Sequence, residues 1–271
     1  MIHVENIQFT YAGGKHPVLR NFSLQLEGNQ IYGLLGKNGT GKSTLLYLLS
    51  GLLRAEAGKI DIDGHEPNRR EPELLEEIYV LPEEYDLPGM TLEQYVAVNA
   101  PFYPRFSREV LNQCLADFEL TDLNKLNELS MGQKKKVLMS FALASGTRYL
   151  LMDEPTNGLD IPSKSQFRKV VARYMTEERT VIISTHQVHD VEQLLDHILI
   201  LSDTGLLMNA STNELTEKYV FEFRQPNDMA DALYAEPTLQ GNSVVASRGD
   251  KSETPLNLEL LFTAVVQGKL K

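Results

Sequence analysis

Residues 36–44 read Gly-Lys-Asn-Gly-Thr-Gly-Lys-Ser-Thr, between the apolar run Ile31-Tyr32-Gly33-Leu34-Leu35 and the helical-looking Leu45-Leu46-Tyr47-Leu48-Leu49. The order is strand, loop, helix. Gly36, Gly39 and Gly41 let the backbone turn tightly with its N–H groups inward, and the helix start adds unpaired N–H groups and a positive dipole end. A loop of this kind, Gly36, Lys37, Asn38, Gly39, Thr40, Gly41, Lys42, Ser43 and Thr44, is an anion cradle. Lys42 is placed to reach the β- and γ-phosphates of a nucleotide, and the Ser43 hydroxyl to ligate Mg²⁺. The fixed positions of the motif coincide by chance in roughly one chain in a hundred of this length. The strand before the loop and the helix after it make nucleotide binding the reading.

Composition narrows the rest. The chain has 271 residues, 42% of them hydrophobic, which suits one large domain, or a domain with an appendage, around a substantial core. A formal charge of −11 argues against a nucleic-acid partner, which usually needs a basic face. The longest apolar stretch, Leu45 to Leu53, is interrupted by Ser50 and Gly51 and is about half the length that spans a bilayer. The N-terminus has no basic segment followed by an apolar run, so no secretory signal is expected. The single cysteine, Cys114, forms no internal disulfide and suits a reducing cytoplasm. Its place beside Val110, Leu111, Leu115 and Phe118 reads as a small core residue.

Outward from the loop, residues 2–9 and 22–27 alternate apolar and polar, as antiparallel strands with one buried face do. Tyr11 lies on the glycine-flanked turn between them, and on its own either stacks on a base or closes an edge of the core. Gly58 to Gly64 is a third short strand. Residues 77–83 (EIYVLPE) read as a buried strand ending at Pro82-Glu83. From Leu92 to Ala144 the pattern is helical, broken at Pro101 and Pro104. The last of these helices starts near Ser130, a fitting N-cap, and carries Lys134-Lys135-Lys136, read as a solvated face. Tyr149 to Asp153 is an apolar strand that delivers Asp153 and Glu154 at its C-terminal end, the edge where open parallel sheets bind ligands. A helix over Pro162–Met175, a strand over Thr180–Ser184 with Thr185-His186 at its end, and a closing pair at 198–201 and 205–208 complete an α/β core. Beyond residue 211 the pattern predicts helix over 211–219, strand over 220–223, helix over 228–234, strand over 243–246 and a final amphipathic helix over 256–266. His186, His189 and Asp190 also have the spacing of a metal turn, but zinc sites bring three or four ligands and a supporting shell, so a catalytic His186 and a surface His189 is the preferred reading.

Taken together these motifs resemble the nucleotide-binding subunit of an ATP-binding cassette (ABC) transporter over residues 1 to about 210. The resemblance puts Tyr11 at the adenine-stacking position, residues 36–44 at Walker A, Glu83 at the Q-loop, Leu129-Ser130-Met131-Gly132-Gln133 at the signature, 149–154 at Walker B, Asp160 in the D-loop and His186 in the switch loop. Two positions depart from the family pattern: the usual Pro-Gln is Pro82-Glu83, and the usual Gly-Gly of the signature is Met131-Gly132. The implied fold is a P-loop NTPase core with a mainly parallel sheet, an N-terminal antiparallel β subdomain, a helical subdomain inserted at about 84–146, and a small C-terminal α/β appendage at 211–271 following a cassette of 1–210. Phe102-Tyr103-Pro104-Arg105-Phe106 and Asn257-Leu258-Glu259-Leu260-Leu261-Phe262 are similar to bacterial exporter-type cassettes that work with a separate membrane subunit.

The chemistry implied is ATP hydrolysis. Glu154 is the general base that positions water, with His186 and Glu83 beside it; Ser43, Asp153 and Glu83 serve Mg²⁺, the acids through water. Ser130, Gly132 and Gln133 form a second anion site that one phosphate tail does not need. The family resolves this with a head-to-tail dimer, homomeric or heteromeric, in which each signature closes over the partner's ATP, while an integral membrane permease holds the cassette at the inner face of the cell membrane. The alternative is a soluble ABC ATPase acting on ribosomes, DNA or cofactor assembly. One cassette, no long heptad run and an acidic balance weigh against it. A small-molecule kinase would leave the signature and His186 unexplained.

Overall fold

In the computed structural model, which describes residues 1–270 other than 122 and 124, the alternating start of the chain forms β1 (Ile2–Phe9) and β2 (Leu19–Leu26), paired antiparallel. The alternation changes phase between Val4 and Ile7, where the register shifts and Asn6 takes φ 48°, so both residues stay buried. β3 (Ile31–Gly36) is buried at every position and runs through the phosphate loop into α1 (Lys42–Leu49). β4 (Ala57–Ile62) returns to the free edge of β1, completing a sheet of order β2-β1-β4. The short α2 (Pro72–Leu75) leads to β5 (Ile78–Leu81).

Three helices follow: α3 (Leu92–Asn99), α4 (Arg108–Asp117) and α5 (Met131–Ala144). Side chains set their starts, with Thr91 and Ser130 each closing a reciprocal capping box and Ser107 accepting from Val110 N–H. Phe141 of α5 gathers Tyr79, Tyr95, Tyr103 and Phe106 around it, with ring centroids 5.2–6.0 Å away. This aromatic cluster fastens the helical insert to β5. Cys114 is fully buried in the same layer, and burial pushes its thiol up to about 12.

The chain then re-enters the main sheet as β6 (Tyr149–Asp153), crosses through α6 (Ile161–Tyr174), and returns as β7 (Thr180–Thr185), β8 (His197–Ser202) and β9 (Gly205–Ser211). Strand order is β5-β6-β7-β3-β8-β9; all neighbours are parallel except β8 with β9. Helices or the first sheet cover both faces, which is why these strands read as continuous apolar runs. Ile31 and Leu35 of β3 pack with Leu150, Met152 and the helical insert, whereas Tyr32 and Leu34 pack with α1 and the N-terminal sheet.

The remainder comprises α7 (Thr212–Lys218), β10 (Tyr219–Arg224), β11 (Ala232–Thr238), β12 (Gly241–Ser247) and α8 (Leu258–Val266), with an antiparallel sheet of order β10-β12-β11. The helix expected over 228–234 is absent. Tyr234 instead pairs with Val245 across the sheet, Met229 and Ala232 pack on Val220, Val244 and Ala246, and Asp231 is held by Arg224 and Lys251. Cross-strand packing overrides a short run of moderate helix formers. α8 belongs to the main core: Leu258, Leu260, Leu261, Ala264 and Val265 lie in one apolar cluster with Val188, Val191 and Leu194.

Candidate functional site

The C-terminal ends of β3, β6 and β7 meet at one edge of the sheet, and the phosphate loop rises from the first of them. Gly36 is required there by close approach: a Cβ would stand 2.6 Å from Thr40 Oγ1 and 2.8 Å from the Leu201 carbonyl oxygen. Gly39 and Gly41 take φ 84° and 96°, a region that L side chains adopt only at a cost. Lys42 is 6% exposed, and its Nζ donates to the carbonyls of Gly36 (2.9 Å) and Lys37 (3.3 Å). Burial lowers the Lys42 pKa, while the carboxylates of Glu154 and Asp153 work against that shift. Tyr11 packs edge-on against Phe9 and its hydroxyl lies 3.1 Å from Thr44 Oγ1, which sets the ring at the mouth of the loop.

β6 ends on Asp153, 1% exposed, which accepts a hydrogen bond from the Ser184 hydroxyl and has the Ser43 side chain near enough to favour its charged form. Burial raises the Asp153 pKa, and these two side chains partly offset it. Glu154 turns sharply, with φ 45°, a left-handed backbone that costs a non-glycine residue about 1–3 kcal/mol. Its N–H donates to the Ser184 carbonyl at 3.0 Å. The turn aims a carboxylate only 4% exposed between Lys42 Nζ (3.7 Å) and His186 Nδ1 (2.8 Å). The last two are delivered by different strands, so the geometry depends on the β3-β7 pairing, which joins Leu35 to Thr185.

Tyr11, Asn38, Gly39, Gly41, Lys42, Ser43, Thr44, Glu83 and Glu154 therefore line one cavity of about 280 Å³. Glu83 reaches it from the end of β5, and its Oε1 accepts from Asn157 Nδ2 at 2.9 Å. Ser130, Gly132 and Gln133 do not line this cavity. Ser130 Oγ accepts from Gln133 N–H and Gln133 Oε1 accepts from Ser130 N–H, a capping box at an exposed helix start. Met131 instead borders a neighbouring cavity of about 410 Å³ with Glu83, Tyr85, Lys134, Lys135 and Asn157. Asp160 caps α6 by accepting from Ser163 N–H at 2.8 Å, and those bonds lower its pKa. Lys37 is exposed.

The donor set suits a hard cation. Ser43 offers a hydroxyl and Asp153 a carboxylate next to the phosphate loop, and Glu83 faces the same cavity. Mg²⁺ commonly takes one or two protein oxygens and completes its shell with phosphate and water. Among the described residues no group of three or more His, Cys, Asp and Glu forms an all-protein cage, which zinc would require.

Three residues of the site escaped the sequence reading. Ser184 anchors both Asp153 and Glu154; its signal was a polar residue at the end of a buried strand. Asn157 holds Glu83. Lys135 is 2% exposed, not solvated: its Nζ donates to the carbonyls of Glu154 (3.0 Å) and Asn157 (2.9 Å). Lys136 also turns inward, to Gln166 Oε1 at 2.9 Å. Helical spacing held the clue, since Lys135 precedes the buried Leu138, Met139 and Ala142 on one stripe.

A phosphate loop facing paired strand-end acids and a histidine defines a P-loop ATPase core, and the signature peptide narrows the class. The chain belongs to the ABC transporter family, whose model matches residues 19–157; it is the ATP-binding subunit. The ABC transporter ATP-binding protein YtrB of Bacillus subtilis is 29% identical over 291 residues, covering 98% of this chain and 99% of the relative. The lantibiotic transport ATP-binding protein SrtF of Streptococcus pyogenes is 28% identical over 204 residues, 73% of this chain and 85% of the relative. The dimeric structure of MJ0796, a bacterial ABC transporter cassette, superposes with a TM-score of 0.68 at 25% identity, covering 78% of this chain and 98% of that one.

Proposed function

We propose that this chain hydrolyses ATP to drive an ABC exporter, as one of two cassettes that close head to tail and act on a separate integral membrane permease. The observation that carries the reading is the Glu154 carboxylate, 4% exposed and fixed between Lys42 and His186 at the mouth of the phosphate loop. Lys42 exchanges its backbone carbonyls for phosphate oxygens, and the loop amides and the α1 N-terminus bind the remaining charge. Mg²⁺, held by Ser43 and through water by Asp153 and Glu83, would neutralise charge between the phosphates. Glu154 accepts the proton of an attacking water, and His186 Nδ1 holds the same carboxylate oxygen, Oε1, that faces Lys42. Tyr11 offers its ring to the adenine.

Closure by a second cassette is supported by the placement of the signature. Ser130, Gly132 and Gln133 stand outside the Lys42 cavity, which at about 280 Å³ is smaller than the roughly 300–1,000 Å³ that usually encloses a ligand. A partner's signature would complete it, and the similar MJ0796 cassette forms a dimer. Among the described residues no helix is long and apolar enough to cross a membrane, which agrees with peripheral attachment at the inner face of the cell membrane through a permease. The exporter direction rests on the resemblance of residues 102–106 and 257–262 to exporter-type cassettes.

Glu154→Gln tests the reading. ATP affinity in an equilibrium titration stays within a few-fold, turnover falls by about 10²–10⁴, the range for removing a general base, and ATP-dependent dimer accumulates in size-exclusion chromatography. Turnover at the parent rate would sink the assignment.

A further inference from the structure

Lys135 sits one turn into α5, and the two carbonyls that its ammonium holds bracket the turn leaving β6. Within that turn Asn157 N–H donates to the Glu154 carbonyl at 3.1 Å, so the Glu154 oxygen is gripped from the loop and from the helix. The Asn157 carbonyl takes its bond from Lys135 at 2.9 Å, while the Asn157 amide group reaches Glu83. The Tyr85 ring lies 5.9 Å from Nζ, and the Tyr85 hydroxyl donates to the Met131 carbonyl at 3.2 Å. One ammonium thus ties the start of α5 to the Glu154 turn and, through Asn157, to Glu83. Burial lowers the Lys135 pKa, and the carboxylates of Glu83, Glu154 and Asp153 oppose that shift.

We propose that Lys135 is a positioning residue for hydrolysis: by cross-linking the Glu154 and Asn157 carbonyls it holds the left-handed turn that aims the Glu154 carboxylate, and makes α5 and this turn move as one body. The proposal rests on the hydrolytic reading of Glu154. Lys135 touches no reacting atom and acts only through the backbone it grips. A methionine fills the same channel without donors and strips the Asn157 carbonyl of its bond. An arginine keeps both charge and donors.

The test uses the full chain and compares Lys135→Met, Lys135→Arg and Lys135→Gln in steady-state hydrolysis and in equilibrium ATP titration. Lys135→Met should leave ATP affinity within about twofold and lower kcat about a hundred-fold, the scale of misplacing a reacting group by about 1 Å. Lys135→Arg should restore most of the loss. In a Glu154→Gln background Lys135→Met should add little, because its effect runs through Glu154. If Lys135→Met does not fold, Lys135→Gln, which keeps an amide donor, should show a smaller kcat loss with the same non-additivity. Parent-like kcat in the folded variant, or a loss that multiplies fully in the Glu154→Gln background, overturns the proposal while leaving the hydrolytic reading standing. A parent chain without turnover removes both.

Discussion

Asp153 shows how a binding site is built against stability. Its carboxyl is 1% exposed and burial raises its pKa, so the folded protein favours the protonated form more than the unfolded chain does. That contribution to stability is complete below the unfolded pKa and is lost as pH rises through the folded one. As pH rises through the folded value, the nucleotide-free protein takes on the cost of a buried negative charge. Asp153→Asn keeps an oxygen for the Ser184 hydroxyl and removes the charge. Its apo melting temperature should exceed the parent's by about 2–4 °C for each kcal/mol relieved, with the gap widening from acidic to neutral pH, while Mg²⁺-dependent hydrolysis is lost. A lower melting temperature at neutral pH would mean that the carboxylate's bonds outweigh its burial. That Lys42, Ser43, Asp153 and Glu154 stand together at the phosphate loop was legible from residue type and place in the chain. Lys135, Ser184 and Asn157 were not, because they act on the backbone or carboxylates of other segments.

Elements with a strong period were the most legible. The continuous apolar runs at 31–35, 149–153 and 180–184 are strands buried on both faces, and Ser130 caps the helix expected after it. The last sixty residues are harder to read, because their elements are short and their partners distant. β11 is a strand through its pairing with β12, information that residues 228–234 do not contain. α8 was legible as a helix, but its role was not. It buries Leu258, Leu261 and Ala264 completely, in the cluster that also supports the chain just after His186. Leu261→Ala should therefore destabilise the whole protein by about 2–5 kcal/mol, the range for emptying a core leucine site, and shift the main thermal transition. An unmoved main transition would make α8 a loose appendage.

At the scale of the molecule the proposed working unit is larger than the chain, because the signature stands outside the cavity of the phosphate loop. Ser130→Arg places a long cation where the partner's nucleotide would dock. Turnover should vanish, ATP binding to the monomer should persist in equilibrium titration, and the ATP-dependent dimer of the Glu154→Gln variant should fail to form when both changes are combined. Weakened binding to the isolated monomer would instead place Ser130 in its own subunit's site. Losing the cap adds a stability cost of about 1 kcal/mol, which a melting curve separates from the functional loss. Following the closure itself is made simple by Cys114. The chain has one cysteine, fully buried, with a thiol pushed up to about 12, and a thiol so rarely ionised is a poor nucleophile toward maleimides. The natural protein is thus a blank background for labelling: a cysteine introduced at an exposed position away from the phosphate loop and the signature, such as Asn68 or Gln240, would carry the dye alone, and distance changes between two dyes would report cassette closure without first stripping the native thiol.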